Sequence, residues 1–309
     1  MKTDFQKEKK RCFLVFKKDL YFYRYCNNRQ YRCDQIFTHY RLGFFVAHVL
    51  KKMNLKIPKI LLGEWKKKIR KFDTIVISDY AYFPGLEKII SNVNPNCRIV
   101  FYYMNSIKYI KERYLEIDYI KSLFGKNIYS YNQTDANKYN IYFKPTMYKL
   151  PEKLNLEQNA FTDFVYLGRD KNRGNGISEF NNVVCKKYSA NIKILDYHGQ
   201  LGCKKFVDYE KYIFNMLLPA KVIIDMIEEP SECVTLRALE ALFFDKKYLT
   251  NNIKIKEMEI YNLLKENTLF IDYKRINLDE IDDFMNKKTK IIDSKEKEKY
   301  IFENWLKNI

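Results

Sequence analysis

No two of the seven cysteines (12, 26, 33, 97, 185, 203 and 233) stand at Cys-x-x-Cys spacing in this chain of 309 residues. An odd, scattered set argues against a disulfide framework or a zinc knuckle, and for reduced thiols in a cytoplasmic protein. No uninterrupted apolar stretch approaches the ~20 residues of a spanning helix, so any membrane contact is expected to be peripheral. The apolar run Cys12 to Phe16, behind the charged start MKTDFQKEKKR, is too short for a signal peptide's hydrophobic region. Internal repeats are absent, which sets aside solenoids and propellers. There is neither a Gly-x-Gly-x-x-Gly fingerprint nor a P-loop with its Lys-Ser/Thr, which disfavours dinucleotide oxidoreductases and P-loop NTPases. A basic helix, an RNP-like aromatic motif and a zinc site are all missing, so nucleic-acid binding would rest on charge alone.

What the chain does have is apolar and basic. Hydrophobic residues make up 47% and aromatics 16%, enough for packed cores, and the formal charge is +18. Such a charge suits a negative partner: nucleic acid, an anionic membrane surface or a phosphorylated small molecule. The lysines are scattered, so much of the charge equally serves to solvate the surface.

Short β-branched or aromatic runs alternate with helical patterns. In the first half the strands are CFLVF (12–16), DTIVIS (73–78), RIVFYY (98–103) and NIYSY (127–131). Helices are expected over Tyr40–Met53, with Leu42, Phe45, Val46, Val49, Leu50 and Met53 as the buried stripe, and over Leu86–Ile90 and Ile107–Leu123. After a polar stretch the rhythm restarts with DFVYLGRD (163–170), a helix near 176–188, NIKILD (191–196), a helix near 208–217, KVIIDMI (221–227), KYLTN (247–251) and TLFID (268–272). This alternation implies parallel sheets with crossover helices, an α/β fold. The expected organisation is an N-terminal domain over 1–150, a linker over 151–162, a second α/β domain over 163–290 and an amphipathic closing helix over 291–309.

Ligands of such sheets bind beyond the carboxyl ends of the strands. The stretch SECVTLRALEALFFDKKYLTNN (231–252) lies at one such end. A helix expected over Val234–Phe244 would offer first-turn amides around Val234 and Thr235 to a diphosphate. Glu240 could accept from both hydroxyls of a ribose, and Glu232 from sugar hydroxyls. A loose Glu-x7-Glu pair is equally consistent with two surface charges. A second segment, YLGRDKNRGNG (166–176), gathers Arg169, Lys171 and Arg173 on a glycine-bearing turn after Gly168. Cations there can neutralise a diphosphate, and glycine lets the backbone come close. In the first half, Asp79 after DTIVIS and His39 at a helix start are candidate general bases, each with a plain capping alternative. Asn105 could line a cleft, His48 reads as core-adjacent, and His198 falls in a polar loop.

The two segments, closed by KKYLTNN, resemble the donor half of GT-B-type glycosyltransferases from bacterial lipopolysaccharide, capsule and exopolysaccharide loci. The resemblance extends through IYSYNQTDANKYNIYFKPTMY (128–148) and is strongest between 163 and 271. It implies two Rossmann-like α/β domains facing a central cleft, and sugar transfer from a nucleotide-sugar donor to a glycan or lipid-linked acceptor. By that likeness Gly168, Arg169 and Lys171 meet the diphosphate, Thr235 and Leu236 lie near the phosphates, Glu232 nears the donor sugar, and Glu240 reaches the ribose. Cys233 departs from the glycine usual in that group, and its side chain would narrow the sugar pocket. The absence of Asp-x-Asp implies no metal and no cofactor, with cations and helix amides carrying the leaving group's charge. An inactive relative acting as a scaffold is the alternative, ahead of a nucleic-acid-binding protein. An acceptor waiting at the inner face of the cytoplasmic membrane would suit attachment through FKK (16–18), LKKMNLK (50–56) and WKKKIRK (65–71), with Trp65 as an interfacial anchor.

Overall fold

The computed structural model describes residues 9–16, 26, 28, 30–38, 41–151, 161–170, 172–195 and 208–309. His39, Lys171 and His198, together with most of the expected linker, lie outside these described residues. The chain divides into two compact units, Met1–Lys149 with Ile301–Ile309, and Leu150–Tyr300.

Among the described residues the first unit is built on six strands: β1 (Arg11–Val15), β2 (Tyr31–Gln35), β3 (Thr74–Ser78), β4 (Arg98–Tyr103), β5 (Ile128–Ser130) and β6 (Tyr142–Phe143). They pair in the order β2-β1-β3-β4-β5-β6, every pair parallel. Strand residues point alternately to two cores. Leu14, Ile77, Phe101 and Tyr103 meet Leu86 and Ile90 of α2 (Leu86–Val93) and Ile120 and Phe124 of α3 (Ile117–Phe124). Phe13, Val15, Val76 and Tyr102 face the opposite way, onto Phe302, Trp305 and Leu306.

Those last residues belong to the tail, which forms two short helices rather than one: Ser294–Lys297 and Phe302–Lys307. The second docks on the first unit through Phe302 N–H to Tyr148 O at 2.9 Å and Trp305 Nε1–H to Pro145 O at 2.5 Å.

The second unit carries β7 (Thr162–Arg169), β8 (Ala190–Leu195), β9 (Ala220–Asp225), β10 (Lys247–Thr250) and β11 (Thr268–Phe270). Their order is β11-β10-β9-β7-β8, again all parallel. On one face α5 (Gly174–Val184) and α9 (Leu278–Asn286) bury Ile177, Phe180, Ile281 and Phe284 against Phe164, Val222 and Leu249. α4 (Gln133–Tyr139) belongs to the first unit and α6 (Tyr209–Tyr212) to this one, where α7 (Leu236–Phe243) packs on β9, β10 and α8 (Glu259–Leu264). In each sheet the first strand lies inside, flanked by the second and third (β1 between β2 and β3, β7 between β8 and β9), so each has a switch point where the chain reverses direction across the sheet.

Three further expectations need correction. α1 (Arg41–Lys52) is a helix, but its buried side runs through Phe44, Ala47, His48 and Lys51. Leu42, Phe45, Val46 and Met53 of the expected core stripe are exposed. The reason is packing: Phe44 and His48 lie 5.2 Å from the Phe16 ring, and Lys51 Nζ bonds the Tyr80 carbonyl. The helix expected over Ile107–Leu123 is broken into 3-10 turns at Ile107–Tyr109 and Arg113–Leu115 before α3 begins. Trp65 is no surface anchor, because it is fully buried with its Nε1–H on the Ile36 carbonyl at 2.9 Å.

Candidate functional site

In the second unit the switch point falls between the carboxyl ends of β7 and β9. β9 ends at Asp225, and a loop then leads to α7. The helix begins at Leu236, two residues later than expected, because Thr235 is its N-cap and accepts from Ala238 N–H at 3.1 Å. The amides left over in the first turn are therefore those of Leu236 and Arg237, while Val234 is buried ahead of the cap. Thr235 also donates its hydroxyl to Asp225 Oδ2 at 2.5 Å, and Tyr248 donates to the same oxygen at 2.5 Å. Asp225 thus ties the strand end to the helix cap.

Glu240, one turn from the cap on the inner face of α7, is fully buried. Its oxygens accept from Tyr209 at 2.9 Å and Tyr212 at 3.0 Å, with Arg237 Nη1 at 3.5 Å from Oε2. Burial raises the Glu240 carboxyl above its ordinary value, against the pull of Arg237 and the two phenols. Burial alone would lower the Arg237 guanidinium, but Glu240, Tyr212, Asp225 and Tyr166 together raise it, so it stays a cation.

Two asparagines hold the loop from outside. Asn251 receives Ile227 N–H at 2.9 Å and donates to Ile227 O at 2.8 Å, and Asn252 does the same with Ser231 at 2.9 and 3.0 Å. Each amide side chain replaces a strand partner for one residue. Glu232 Oε1 lies 3.4 Å from Lys254 Nζ. Cys233 is buried, and burial pushes its thiol up to about 11.

The β7–α5 turn is braced more than it is open. Arg173 donates to Met226 O at 2.8 Å, Arg169 O at 3.2 Å and Asp170 O at 3.3 Å, so its guanidinium staples the turn to the end of β9. Asp170 Oδ1 takes Gly174 N–H at 2.8 Å, placing a carboxylate at the N-terminus of α5. An anion has more to gain at the start of α7 than at this one. Asn172, at φ 62°, makes the turn and donates to Glu228 Oε1 at 2.8 Å. Beside it runs a groove of about 870 Å³ lined by Asn172, Arg173, Glu228, Tyr273 and Lys274.

Gly168 lets the Tyr166 ring lie close over the backbone. A Cβ there would lie 2.5 Å from the Tyr166 hydroxyl. That hydroxyl is buried among Arg173, Arg237, Asp225 and Asp170, and among the described residues it has no hydrogen-bond partner. Arg237 Nε is unpaired in the same sense. Two buried donors without acceptors at a switch point are costly unless a ligand supplies the oxygens.

In the first unit, Asp79 follows β3 at the switch point and is 2% exposed. It accepts from Tyr80 N–H at 2.8 Å, Asn105 N–H at 3.1 Å and Asn105 Nδ2 at 2.9 Å. The Tyr80 hydroxyl closes the ring on Asn105 Oδ1 at 2.7 Å. Burial pushes Asp79 up to about 6, against these hydrogen bonds, and burial brings Lys51 down to about 8.

Reading the sequence alone missed Tyr166, Arg237, Tyr209, Tyr212, Asn251, Asn252 and Lys51. The doubled asparagine closing KYLTNN was a signal for two of them, since Asn after a strand readily substitutes for backbone. Nothing local marks the tyrosines, whose role comes from chain segments some 30 residues apart.

The fold defines a class: an α/β protein of two Rossmann-like units, each built on a parallel sheet. Its likeness to the crystal structure of AviGT4, a glycosyltransferase involved in avilamycin A biosynthesis, spans 97% of this chain and 95% of that one, with a TM-score of 0.52 at 8% identity. Weaker overlaps, which carry no argument, are with Methanocaldococcus jannaschii UDP-GlcNAc 2-epimerase in complex with UDP-GlcNAc and UDP (12% identity, TM-score 0.43, 94% and 98% covered) and an alpha1,3-fucosyltransferase (7% identity, TM-score 0.36, 98% and 89% covered). No protein-family model and no curated protein matches the sequence.

Proposed function

We propose that the protein transfers a sugar from a nucleotide-sugar donor to a glycan or lipid-linked acceptor in the assembly of a bacterial surface polysaccharide. The observation that carries this is the pair of buried, unpaired donors, Tyr166 hydroxyl and Arg237 Nε, at the β7/β9 switch point. The donor diphosphate accepts there, with the Leu236 and Arg237 amides adding the partial positive charge of α7's N-terminus. Arg169, Lys171 and the Gly168 backbone complete the phosphate side, and Glu232 meets the donor sugar. Glu240 reaches the ribose only if a ribose hydroxyl takes the place of the Tyr209 phenol on Oε1. On the acceptor side Asp79 is the base, with Asn105 lining its approach and the half-exposed Tyr80 as the group an acceptor hydroxyl displaces. The chain contains no Asp-x-Asp. Leaving-group charge is assigned to these amides and cations, and turnover is expected to survive a chelator.

A screen of nucleoside diphosphates and their sugars by thermal shift, followed by sugar release from the protecting donor, tests the proposal. One nucleotide should protect, by about 2.7 kcal/mol at 100 times its dissociation constant. If none protects, the donor assignment is wrong. Protection without turnover on any acceptor would favour the scaffold reading, for which Cys233 at the sugar side and the fully paired Glu240 are the motive.

A further inference from the structure

The outward face of α1 is apolar without being covered. Leu42 is 75% exposed, Phe45 61%, Met53 63% and Ile60 79%, with Val46 and Leu55 also exposed. The turn that presents Ile60 packs against the helix: its neighbour Leu61 lies 3.7 Å from where Gly43 would carry a Cβ. Lys66 Nζ holds that turn by the carbonyls of Lys59 at 2.9 Å and Ile60 at 3.4 Å. The side chains on this surface are thus fixed outward by packing on the other side of the helix, where Phe44, Ala47, His48 and Lys51 are engaged.

Along this segment the charge has one sign, up to Glu64, which pairs with Lys67. No Asp or Glu occurs between Arg41 and Gly63, whereas Arg41, Lys52, Lys56 and Lys59 are all exposed there. Large exposed apolar side chains at the centre and cations at the edge describe a helix lying in a lipid interface. A second copy of the chain would set like charges against one another. A nucleic acid would match the cations and leave the apolar centre in water.

We infer that α1 and the turn following it form a docking surface for an anionic lipid bilayer, with Leu42, Phe45, Val46, Met53 and Ile60 entering the acyl boundary and the four cations meeting headgroups. This places the contact on α1 and not on WKKKIRK, whose Trp65 is core and whose Lys67 pairs with Glu64 at 2.9 Å. It is independent of what the second unit binds.

The test uses the full chain and two vesicle preparations, phosphatidylcholine alone and an equimolar mixture with phosphatidylglycerol. Wild type should sediment with the anionic vesicles and stay in solution with the neutral ones. The Leu42→Ser/Phe45→Ser variant should bind anionic vesicles at least tenfold more weakly, as should Lys52→Glu/Lys56→Glu/Lys59→Glu. Every substituted side chain is exposed, so melting temperatures should be unchanged, and nucleotide protection should be too. Equal binding by the apolar variant and wild type would overturn the inference. Failure of wild type to bind either vesicle, or a concentration-dependent dimer lost in the apolar variant, would overturn it as well.

Discussion

Asp79 holds its proton to about 6 in the folded chain against an ordinary 3.8, because burial penalises its charge. A carboxyl raised in this way stabilises the fold fully below the unfolded value and loses that contribution as pH climbs through the folded one. A rise from 3.8 to about 6 corresponds to about 3 kcal/mol, so wild type should lose roughly that much stability between pH about 4 and about 7. Asp79→Asn should flatten the trend, as measured by urea unfolding across that range. Turnover should run the other way, rising through pH about 6 in wild type as the base ionises, and falling sharply in the Asn variant at every pH. A variant that keeps its rate would remove Asp79 as the base and leave it a brace for Asn105. Cysteine chemistry is the second residue-scale test. Cys185 is exposed, whereas burial lifts the Cys233 thiol to about 11. Iodoacetamide should modify Cys185 well before Cys233, read by peptide mass spectrometry; comparable rates would mean that the mouth of α7 opens in solution.

At the scale of elements, the loop between β9 and α7 is shaped by two side chains from the end of β10. Asn251→Ala leaves Ile227 N–H and C=O without their partner in a part-buried setting, which costs about 1–3 kcal/mol, whereas Asn252→Ala costs less, because Ser231 C=O keeps the Cys233 N–H at 2.9 Å. Hydrogen exchange should quicken at residues 227 and 231 with β9 and β10 still protected; unchanged exchange would mean that the loop holds its own shape. These elements also mark what the sequence could disclose. β1, β3, β4, β7 and β9 each hold an apolar run of three or more residues buried on both faces, so composition alone located them. β2, YRCDQ, is polar and sits at the sheet edge, where pattern is weak. α1 was recognised as a helix and assigned the wrong face. Its more apolar stripe is the exposed one, and only the aromatic contacts of Phe44 and His48 with Phe16 decide the rotation. The candidate site was legible as two segments, GRDKNR and SECVTLRALE. Its brace by Arg173 and its tyrosine lid on Glu240 were not, since both depend on which loops the topology brings together.

On the scale of the whole molecule, two Rossmann-like units each have a switch point, with Asp79 at one and Tyr166, Arg237 and Thr235 at the other. Whether the second of these receives a nucleoside diphosphate decides the proposed function. Tyr166→Phe isolates that question, because it removes only a buried hydroxyl that no described residue pairs with. The measurement is the dissociation constant of the protecting nucleotide, by calorimetry, for wild type and Tyr166→Phe, beside the melting temperature of each apo protein. A hydrogen bond to a charged phosphate contributes about 1.5–3 kcal/mol, so the variant should bind at least ten times more weakly while its apo form melts no lower than wild type. Equal affinity in the two proteins, or a wild type that binds no nucleotide, would contradict the account.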